Sequence, residues 1–458
     1  MNAVQRSSAD KSYASLAGPD NSFSVPTLSE LGMEPATTPH RGGETLALAN
    51  LAATTSNTAY TALFSKPLTA PTAFAPPSTT LLSPHLHFGA LSVRTFYWAA
   101  CDAAAAYEAA HGKGSATPPP TSLPGQLLFR DMYFGAQAAL GHRFGQAFGN
   151  SHCRWIPWHL PSEIDAASGL RTGAHAADSA QAQEWLARWR DGRTGFPFVD
   201  ALMRQLRRDG WIHHLGRHMV ACFLTRGGCY VDWERGADVF EEWLLDHEAA
   251  SNIGNWQWLA CAAFYAQFHR CYSPVAFGRK WDPDGAFVRA FVPELARMPA
   301  RWLYEPWKAP VRDQRLAGCL VRGDAPGRDG DYRVYPKPMF DFAERRDACI
   351  RAISKAYRVG LYGNDPRVLD GSWRRLFDDG AEGPTEGVRA LPAAVLGRRG
   401  SADGGEEEGR RGRGRAREQV GGGEHAASSP AGTNGAGQRK KRAAGQTTLD
   451  GIVKKVKK

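Results

Sequence analysis

Apolar residues recur with the period of about 3.6 that is typical of an α-helix in segment after segment between residues 45 and 375. No convincing series of alternating strands appears in this region, and no GxGxxG motif follows a strand. The sequence therefore predicts an all-α, helical fold and argues against a nucleotide-binding parallel sheet. The segments with the clearest helical period are 43–53, 92–110, 125–140, 196–210, 238–246 and 342–357.

Composition divides the chain into three parts. Residues 1–44 are rich in Ser, Ala, Pro and Thr and are predicted to be a flexible N-terminal segment. Residues 45–375 form the predicted helical domain. Within it, residues 160–183 lack large apolar side chains and are interpreted as an inserted loop. From 376 to 458 the chain turns to Gly, Arg, Glu and Ser, which predicts a disordered basic tail.

Charge and cysteine usage narrow the class of protein. The formal net charge is +10, which favours a polyanionic partner such as nucleic acid, although the basic tail alone could produce this excess. The eight cysteines are scattered without a CxxC pair, which indicates reduced thiols in an intracellular protein and no cysteine zinc site. No signal peptide is visible, and no apolar run approaches the ~20 residues of a membrane span, so no membrane association is expected.

The stretch GWIHHLGRHMVACFL, residues 210–224, places three histidines and an arginine in an otherwise apolar helical run. His214 and His218 are one helical turn apart and share a face. Such a pair can bind zinc, but the protease motif needs Glu where this chain has Leu215, and no third ligand is evident, so no metal is expected. From this segment alone, buried core histidines and acid–base residues acting on a bound substrate both remain open.

The run from 231 to 268 combines tryptophans with acidic and amide side chains at the end of an apolar helix. This pattern indicates a polar pocket with aromatic walls, whereas simple core tryptophans would leave Asp246 and Asn252 in need of buried partners. Arg217 is the natural partner of Asp246, because a buried guanidinium requires a carboxylate.

Eight motifs, in order, resemble the helical FAD-binding domain of the photolyase/cryptochrome family, and most closely the branch of (6-4) photolyases and animal-type cryptochromes, including algal animal-like ones. None of these motifs matches the family's N-terminal α/β antenna-binding domain, so no antenna pigment site is expected. The motifs are SVPTLSELG (24–32), LLSPHLHFGALS (81–92), GQLLFRDMYF (125–134), IPWH (156–159), the long segment 192–227, LLDHEAASNIGNWQW (244–258), CYSPVAFGRKWDPDG (271–285) and YPKPM (335–339).

The resemblance implies a bound FAD in a folded conformation. Thr80 and Ser83 match the positions that meet the phosphates. Arg130 is the central residue of a motif that is usually WRE in the family and is FRD in this chain. Arg130 would lie near the cofactor. Arg217 and Asp246 match the ion pair beside the isoalloxazine ring.

Further matched positions concern the flavin edge and the substrate. Glu248 stands where the family has Asp near the pyrimidine edge of the flavin, and Asn252 would face flavin N5. His214, His218 and Gln126 match the residues that reach a flipped-out (6-4) lesion in the repair enzymes. Since repair needs a proton donor, a histidine cation stabilised by a negative neighbour is expected there.

The resemblance also implies a chain of aromatic side chains that carries electrons from the surface to the flavin. Trp256, Trp233 and Trp158 match this chain. Tyr230 lies three residues before Trp233 and is expected to share its helical face and to extend the chain. Some family members have such an extra aromatic, which is tyrosine in algal animal-like cryptochromes.

These implications support two functions of different classes. The first is an enzyme, a probable DNA (6-4) photolyase that uses light and FAD to repair photoproducts in damaged DNA. The second is a cryptochrome photoreceptor or circadian transcriptional regulator without repair activity, whose partners would be clock or transcription proteins. In the tail, basic clusters at 438–442 and 454–458 suggest nuclear localisation, with cytoplasm and plastid left open, and Gln446 to Val453 weakly resembles a sliding-clamp-binding box.

Overall fold

Helices dominate the computed structural model, which describes residue 24, residues 26–27, residues 29–73 and residues 78–377. Short 3₁₀ turns at 66–68, 141–145, 293–295, 306–308 and 372–376 connect some of them. The α-helices are α1 Glu44–Ser56, α2 Thr58–Leu63, α3 Ser83–His87, α4 Val93–His111, α5 Leu123–Leu140, α6 Ala180–Arg190, α7 Pro197–Asp209, α8 His214–Leu224, α9 Trp233–Trp243, α10 Ala249–Leu259, α11 Pro274–Trp281, α12 Ala286–Phe291, α13 Ala300–Leu303, α14 Val311–Leu316, α15 Phe342–Val359 and α16 Pro366–Leu369.

Two small sheets interrupt the helices. Strands β1 Ser162–Ile164 and β2 Arg171–His175 form an antiparallel hairpin. Strands β3 Cys319–Val321, β4 Gly327–Asp329 and β5 Tyr332–Tyr335 form a three-stranded sheet in which β5 is central, parallel to β3 and antiparallel to β4. The hairpin lies within the segment interpreted as an inserted loop, so that interpretation is corrected: 160–183 is an ordered insertion.

The apolar interior consists of two clusters. The smaller one joins α1, α4 and α5 through side chains such as Leu51, Phe96 and Leu127. The larger one is formed mainly by α6 to α12 and α15 and contains buried side chains such as Leu202 and Phe223. Side chains of both clusters, Phe96 and Leu127 from the first and Trp256 from the second, line one cavity. The fold thus places a cavity where its two apolar clusters meet.

The start of α8 is set by two consecutive turns. Gly210 ends α7 in the left-handed conformation, with φ of 68°, and a Cβ there would lie 2.6 Å from Leu245. His213 then caps α8, because its Nδ1 accepts the backbone N–H of Leu215 at 3.1 Å. With Nδ1 accepting, Nε2 carries the proton and donates to Thr69 Oγ1 at 2.8 Å. His213 is therefore a buried neutral cap that precedes α8.

The predicted fold class is confirmed, since the described part of the chain is mostly helical. The domain boundaries at 44 and 375 stay predictions. Within the segment expected to be flexible, Thr37 and Thr38 donate hydrogen bonds to the carbonyls of Arg208 and Asp209, each at 2.6 Å, so that end of the segment is docked on α7. Among the described residues, no helix has the length and hydropathy needed to cross a bilayer. The basic clusters and the clamp-like box lie outside the described residues.

Candidate functional site

A cavity of about 320 Å³ is lined by α3, α5, α8, α10 and the turns between them. This volume is in the range of small-molecule and cofactor sites. It brings together all but three of the residues predicted for the site, although they come from four distant parts of the chain. The predicted residues that line it are Thr80, Ser83, Gln126, Arg130, His214, Arg217, His218, Asp246, Glu248, Asn252 and Trp256.

The predicted Arg217–Asp246 pair is present. Arg217 Nη2 contacts both carboxylate oxygens of Asp246, at 2.8 and 3.1 Å, and its Nε donates to the carbonyl of Ile212 at 2.9 Å. The Asp246 side chain is only 4% exposed, and that of Arg217 is 24% exposed. The pair fixes α8 to the turn between α9 and α10 and leaves one side of the guanidinium facing the cavity.

A second ion pair closes the same turn from the other side. Arg130 on α5 binds Glu248 through Nε at 2.8 and 2.9 Å and through Nη2 at 2.5 Å. Ser251 Oγ donates to Glu248 at 3.1 Å. Glu248, which stands where the resemblance leads one to expect aspartate, thus forms a fork-like contact with Arg130 that joins α5 to the N-terminal end of α10.

Two amide side chains on the wall are held by backbone carbonyls. Asn252 Nδ2 donates to Ala237 O at 3.0 Å, and Gln126 Nε2 donates to Pro120 O at 2.6 Å. Each bond fixes which end of the amide is engaged with the protein. Both residues stand at the cavity wall, as expected, with their orientation set before any ligand binds.

The His214 and His218 rings lie 5.7 Å apart, centroid to centroid, and face the cavity as predicted. Their charge differs from the expectation. Burial, followed by the charge of Lys66, holds the pKa of His214 well below its ordinary value and lowers the pKa of His218 to about 3. The neighbours are cationic, so the expected histidine cation is wrong for this state: both imidazoles are neutral near pH 7.

Lys66 is the main functional candidate that the sequence did not reveal. It lines the cavity from the turn after α2, and burial together with Arg217 lowers its pKa to about 8. Among the described residues Lys66 forms no ion pair, while Arg217 and Arg130 are each matched by a carboxylate. The wall therefore carries an excess of positive charge, which favours an anionic ligand. Only its position before the 81–92 motif could have drawn attention to it.

The residues present fit FAD. Thr79 Oγ1, beside the predicted Thr80, is buried and has no hydrogen-bond partner among the described residues, as expected of a group that awaits a ligand oxygen. Leu81, the next wall residue, has a φ of 52°, and such strained backbone concentrates at ligand sites. Thr79, Thr80 and Ser83 would hold phosphate, and the Arg217–Asp246 pair would meet the ring system.

The inner part of the predicted aromatic chain adjoins this cavity. Trp256 on α10 lines the cavity and packs on Phe240, with ring centroids 5.0 Å apart. Its ring lies over Gly236, where a Cβ would come within 2.1 Å of the indole. Trp233 is fully buried one turn before Gly236 on α9 and so lies on the same side of that helix. Trp233, Trp158 and Tyr230 do not line the cavity, which suits a path leading away from it.

The outer part of the aromatic chain, formed by Trp158 and Tyr230, departs from the expected position of Tyr230 on a helix. Tyr230 is not on α9, which begins at Trp233; it precedes the Asp232 cap and has a φ of 55°. It does not share the helical face of Trp233. Instead its ring contacts Trp158, with centroids 4.7 Å apart. Trp158 is 2% exposed and Tyr230 is 0% exposed, so within the described structure neither ring reaches solvent, contrary to a chain that ends at the surface.

In the described part of the chain, no group of three or more His, Cys, Asp or Glu side chains is arranged to hold a metal ion.

Comparison with known proteins identifies the family. The family "FAD binding domain of DNA photolyase" matches residues 122–355, which is just over half of the chain and includes α5 to α10. The chain therefore belongs to the DNA photolyase/cryptochrome family and contains its FAD-binding domain. FAD is accordingly its cofactor, and the cavity is where the predicted FAD residues meet.

Named relatives include both (6-4) photolyases and cryptochromes. The "(6-4)DNA photolyase" of Oryza sativa subsp. japonica is 43% identical over 326 residues, covering 71% of this chain and 52% of that protein. The protein of the same name from Arabidopsis thaliana is 43% identical and covers 73% and 54%. "Cryptochrome-1" of Rattus norvegicus is 40% identical and covers 77% and 55%. The chain spans about half the length of these relatives.

Solved structures agree on the fold. The class III photolyase of Agrobacterium tumefaciens is similar with a TM-score of 0.51 and 25% identity, covering 73% of this chain and 61% of that one. The Synechocystis cryptochrome has a TM-score of 0.51 and 24% identity, covering 72% and 60%. These likenesses confirm the predicted helical photolyase-type architecture.

The Arg217–Asp246 pair leads to a first prediction. Asp246→Ala leaves Arg217 without its carboxylate and is expected to lower the free energy of unfolding by about 3 kcal/mol, the lower end for a buried pair, because Arg217 is partly solvated. The molar ratio of bound flavin to purified protein should also fall. Asp238→Ala is the matched control, since Asp238 pairs with Arg171 away from the cavity and is 38% exposed. Equal flavin content in both variants would contradict the assignment.

The neutral cap His213 leads to a second prediction. Its pKa is lowered from 6.5 to about 3 in the folded protein, first by burial and then by Arg217 and Lys66. Between these pH values the unfolded chain binds one more proton than the folded protein, so stability falls as pH falls below 6.5. The contribution is about 1.4 kcal/mol per pH unit.

The control for this titration is His213→Asn, because asparagine can cap α8 without titrating. Urea unfolding at a series of pH values should show a shallower acid slope for His213→Asn than for the wild type. Losing the bond to Thr69 should also cost the variant about 1 kcal/mol near neutrality. Parallel slopes would show that His213 is not the neutral buried cap described here.

Proposed function

We propose that this protein is a DNA (6-4) photolyase, which uses light and bound FAD to repair (6-4) photoproducts. The observation that carries the proposal is the placement of His214 and His218 on one face of α8, in the same cavity as the Arg217–Asp246 pair. The relatives named "(6-4)DNA photolyase" support the same function. Damaged DNA is then the substrate, and the positive cavity wall suits its backbone.

Bound FAD would supply the light-driven transfer of an electron to the lesion, while the chain's own residues hold the lesion and manage its proton. His214 and His218 are neutral in the described state because burial, and then Lys66 and Arg217, disfavour their cations. An entering nucleotide brings phosphate charge toward these cations and offsets their effect. Protonation of one histidine is then linked to substrate binding, which delivers the general acid only when a lesion is present.

Gln126 and Lys66 complete the substrate side. The Nε2 of Gln126 is engaged with Pro120 O, which fixes the amide for contact with a base edge. Lys66, with a pKa lowered to about 8, is largely protonated at neutral pH and offers an ammonium group to phosphate. These two side chains position the flipped nucleotide, and the histidines act on it.

A cryptochrome photoreceptor or circadian transcriptional regulator is the second candidate. The specific observation that favours it is the contact of Trp158 with a fully buried Tyr230, because a hole held on a shielded aromatic is long-lived enough to signal. The 40% identity to "Cryptochrome-1" proteins also supports it. Clock or transcription proteins would be the partners, with nuclear localisation through 438–442 and 454–458. A weaker proposal is a sliding-clamp contact through Gln446 to Val453.

Repair chemistry is tested at the histidines. His218→Ala should abolish lesion reversal, and His214→Ala should slow it by at least ~100-fold, the scale of a lost general acid. Both variants should retain flavin, because neither ring belongs to the ion pairs that shape the cofactor site. The measurement is reversal of a (6-4) lesion in a defined oligonucleotide under blue light with pre-reduced protein.

The control for these variants is binding to the same damaged oligonucleotide, which should change much less than turnover because phosphate contacts supply most of the affinity. Wild-type turnover in both alanine variants would refute the histidine roles. A wild-type chain that binds flavin but reverses no lesion would favour the photoreceptor.

Electron delivery is tested at Trp256. Trp256→Phe removes the aromatic donor that lines the cavity and should slow light-induced bleaching of the flavin absorption severely. Trp258→Phe is the matched control, because Trp258 is on the same helix but packs against Tyr265 and Phe129, outside the cavity lining. With an external reductant present, equal bleaching rates in wild type and Trp256→Phe would mean that the electron path is wrongly assigned.

A further inference from the structure

A second cavity lies at the outer part of the aromatic chain, apart from the cavity assigned to FAD. Trp158 lines this second cavity, whereas Trp256 lines the cavity assigned to FAD. The second cavity has a volume of about 80 Å³. At about 10–15 Å³ for each water-sized group it has room for roughly six such groups, which is the size of one small ring.

The ordered insertion forms one wall of this second cavity. Ser162 and Ile164 on β1 line the cavity. Strand β1 is held on α9, because Ser162 Oγ donates to Glu234 and accepts from Arg235 Nη2 at 2.5 Å. Glu234 also accepts the backbone N–H of Ala147, another residue of the cavity lining, at 2.7 Å. The wall is therefore in place before any ligand binds.

Aromatic rings and the end of α16 form another wall. Trp155 packs edge to face on Trp373, with ring centroids 5.3 Å apart and planes at 67°, and both residues line the cavity. Leu369 on α16 and Ile164 also line it and are half-buried, so the cavity meets the surface at these side chains. Trp158 itself is 2% exposed. A small molecule therefore reaches the Trp158 ring through this cavity.

The polar groups of the lining favour an uncharged ligand that carries an oxygen. Both carboxylate oxygens of Glu234 are engaged, by Ala147 and by Ser162. Asp232 Oδ1 accepts the N–H of Glu234 at 3.0 Å, and burial, followed by Glu234, raises the pKa of Asp232 well above its ordinary value. Trp155 Nε1 is buried and has no hydrogen-bond partner among the described residues. Carboxyl groups disfavour an anion, and an unpaired N–H favours an acceptor oxygen.

We propose that this second cavity binds a small uncharged phenol or hydroquinone, which returns an electron to Trp158 after light has oxidised it; this inference rests on the electron path proposed above. The ligand ring packs among the indoles, and its hydroxyl oxygen accepts from Trp155 Nε1. One electron passes from the ring to the Trp158 cation radical. The ligand O–H bond breaks, and the proton goes to water at the cavity rim. The products are neutral Trp158, a neutral phenoxyl-type radical and a hydrated proton, so charge and protons balance.

The experiment follows the decay of the tryptophan radical after a light flash in the full flavin-loaded chain, with hydroquinone as the added donor. Hydroquinone is uncharged near neutral pH, because phenols have pKa values of about 10. A donor that binds before it reacts makes the decay rate level off as its concentration rises. Ascorbate, a larger anion, should react by collision and give a rate that rises linearly. A linear rise with hydroquinone would contradict the proposal.

Variants of the lining locate the binding site. Leu369→Trp fills the cavity and should abolish the levelling-off with hydroquinone. Leu376→Trp is the matched control and should behave as wild type, since Leu376 is 38% exposed in the following 3₁₀ turn and does not line the cavity. Trp155→Phe keeps an aromatic ring but removes the N–H, so it should raise the half-saturating hydroquinone concentration about fivefold, the effect of one neutral hydrogen bond. The same saturation curve in Leu369→Trp and wild type would place the donor elsewhere.

A measurement in the dark tests binding without photochemistry. Saturation-transfer NMR of hydroquinone should show contact with the wild-type chain and with Leu376→Trp, and the signal should be lost in Leu369→Trp, with circular dichroism as the check that each variant is folded. Absence of a transfer signal from the wild type would mean that the cavity holds water only, which would overturn the proposal. Binding in the dark without any effect on radical decay would also overturn it, because the ligand would then not be a donor.

Trp158→Phe separates this inference from the electron path on which it rests. If its flash signals match those of wild type, Trp158 does not carry the hole, and the path and the inference fail together. If Trp158→Phe shortens the life of the radical while hydroquinone acts on the wild type without saturation, only the inference is overturned. Lesion reversal by pre-reduced protein does not draw on this cavity, so the repair function is decided separately.

Discussion

The contact between Arg217 and Asp246 organises the site. It joins α8, which carries the histidines, to the turn that leads into α10, which carries Trp256 and Asn252. The neighbouring Arg130–Glu248 contact joins that same turn to α5. Buried or half-buried charges are costly unless they are paired, so these two pairs make one arrangement of three helices strongly preferred over others. The cavity between the two apolar clusters exists because that arrangement leaves space lined by polar groups.

The charge on the cavity wall decides which kind of ligand the cavity favours. Each of the two arginines on the cavity wall, Arg130 and Arg217, is paired with a carboxylate, whereas Lys66 forms no ion pair among the described residues. Burial, followed by the charge of Lys66, lowers the pKa values of His214 and His218, and the remaining positive charge favours anionic ligands. FAD carries two phosphates, so this positive wall suits the cofactor of the family.

The sequence was informative where a local pattern or the chemistry of a single side chain carries the signal. Helical period located α4, α5, α7 and α15 to within a few residues, and the chemistry of a buried guanidinium was enough to pair Arg217 with Asp246. It failed where distant segments meet. The pKa of His218 is lowered first by burial and then by Lys66, which approaches from the turn after α2, and no local pattern encodes either effect. The segment 160–183 was interpreted as a loop for want of large apolar side chains, whereas its two short strands are held by contacts with α9 such as Arg171–Asp238.

The central claim is that this cavity holds FAD and that buried aromatic side chains supply it with electrons. The most direct test is the absorption spectrum of the purified full chain before and after blue light, with an external reductant present. The account predicts flavin bands from bound cofactor in the dark and their bleaching under illumination. A chain that folds, as judged by circular dichroism, but carries no flavin and takes none up when FAD is supplied would contradict it.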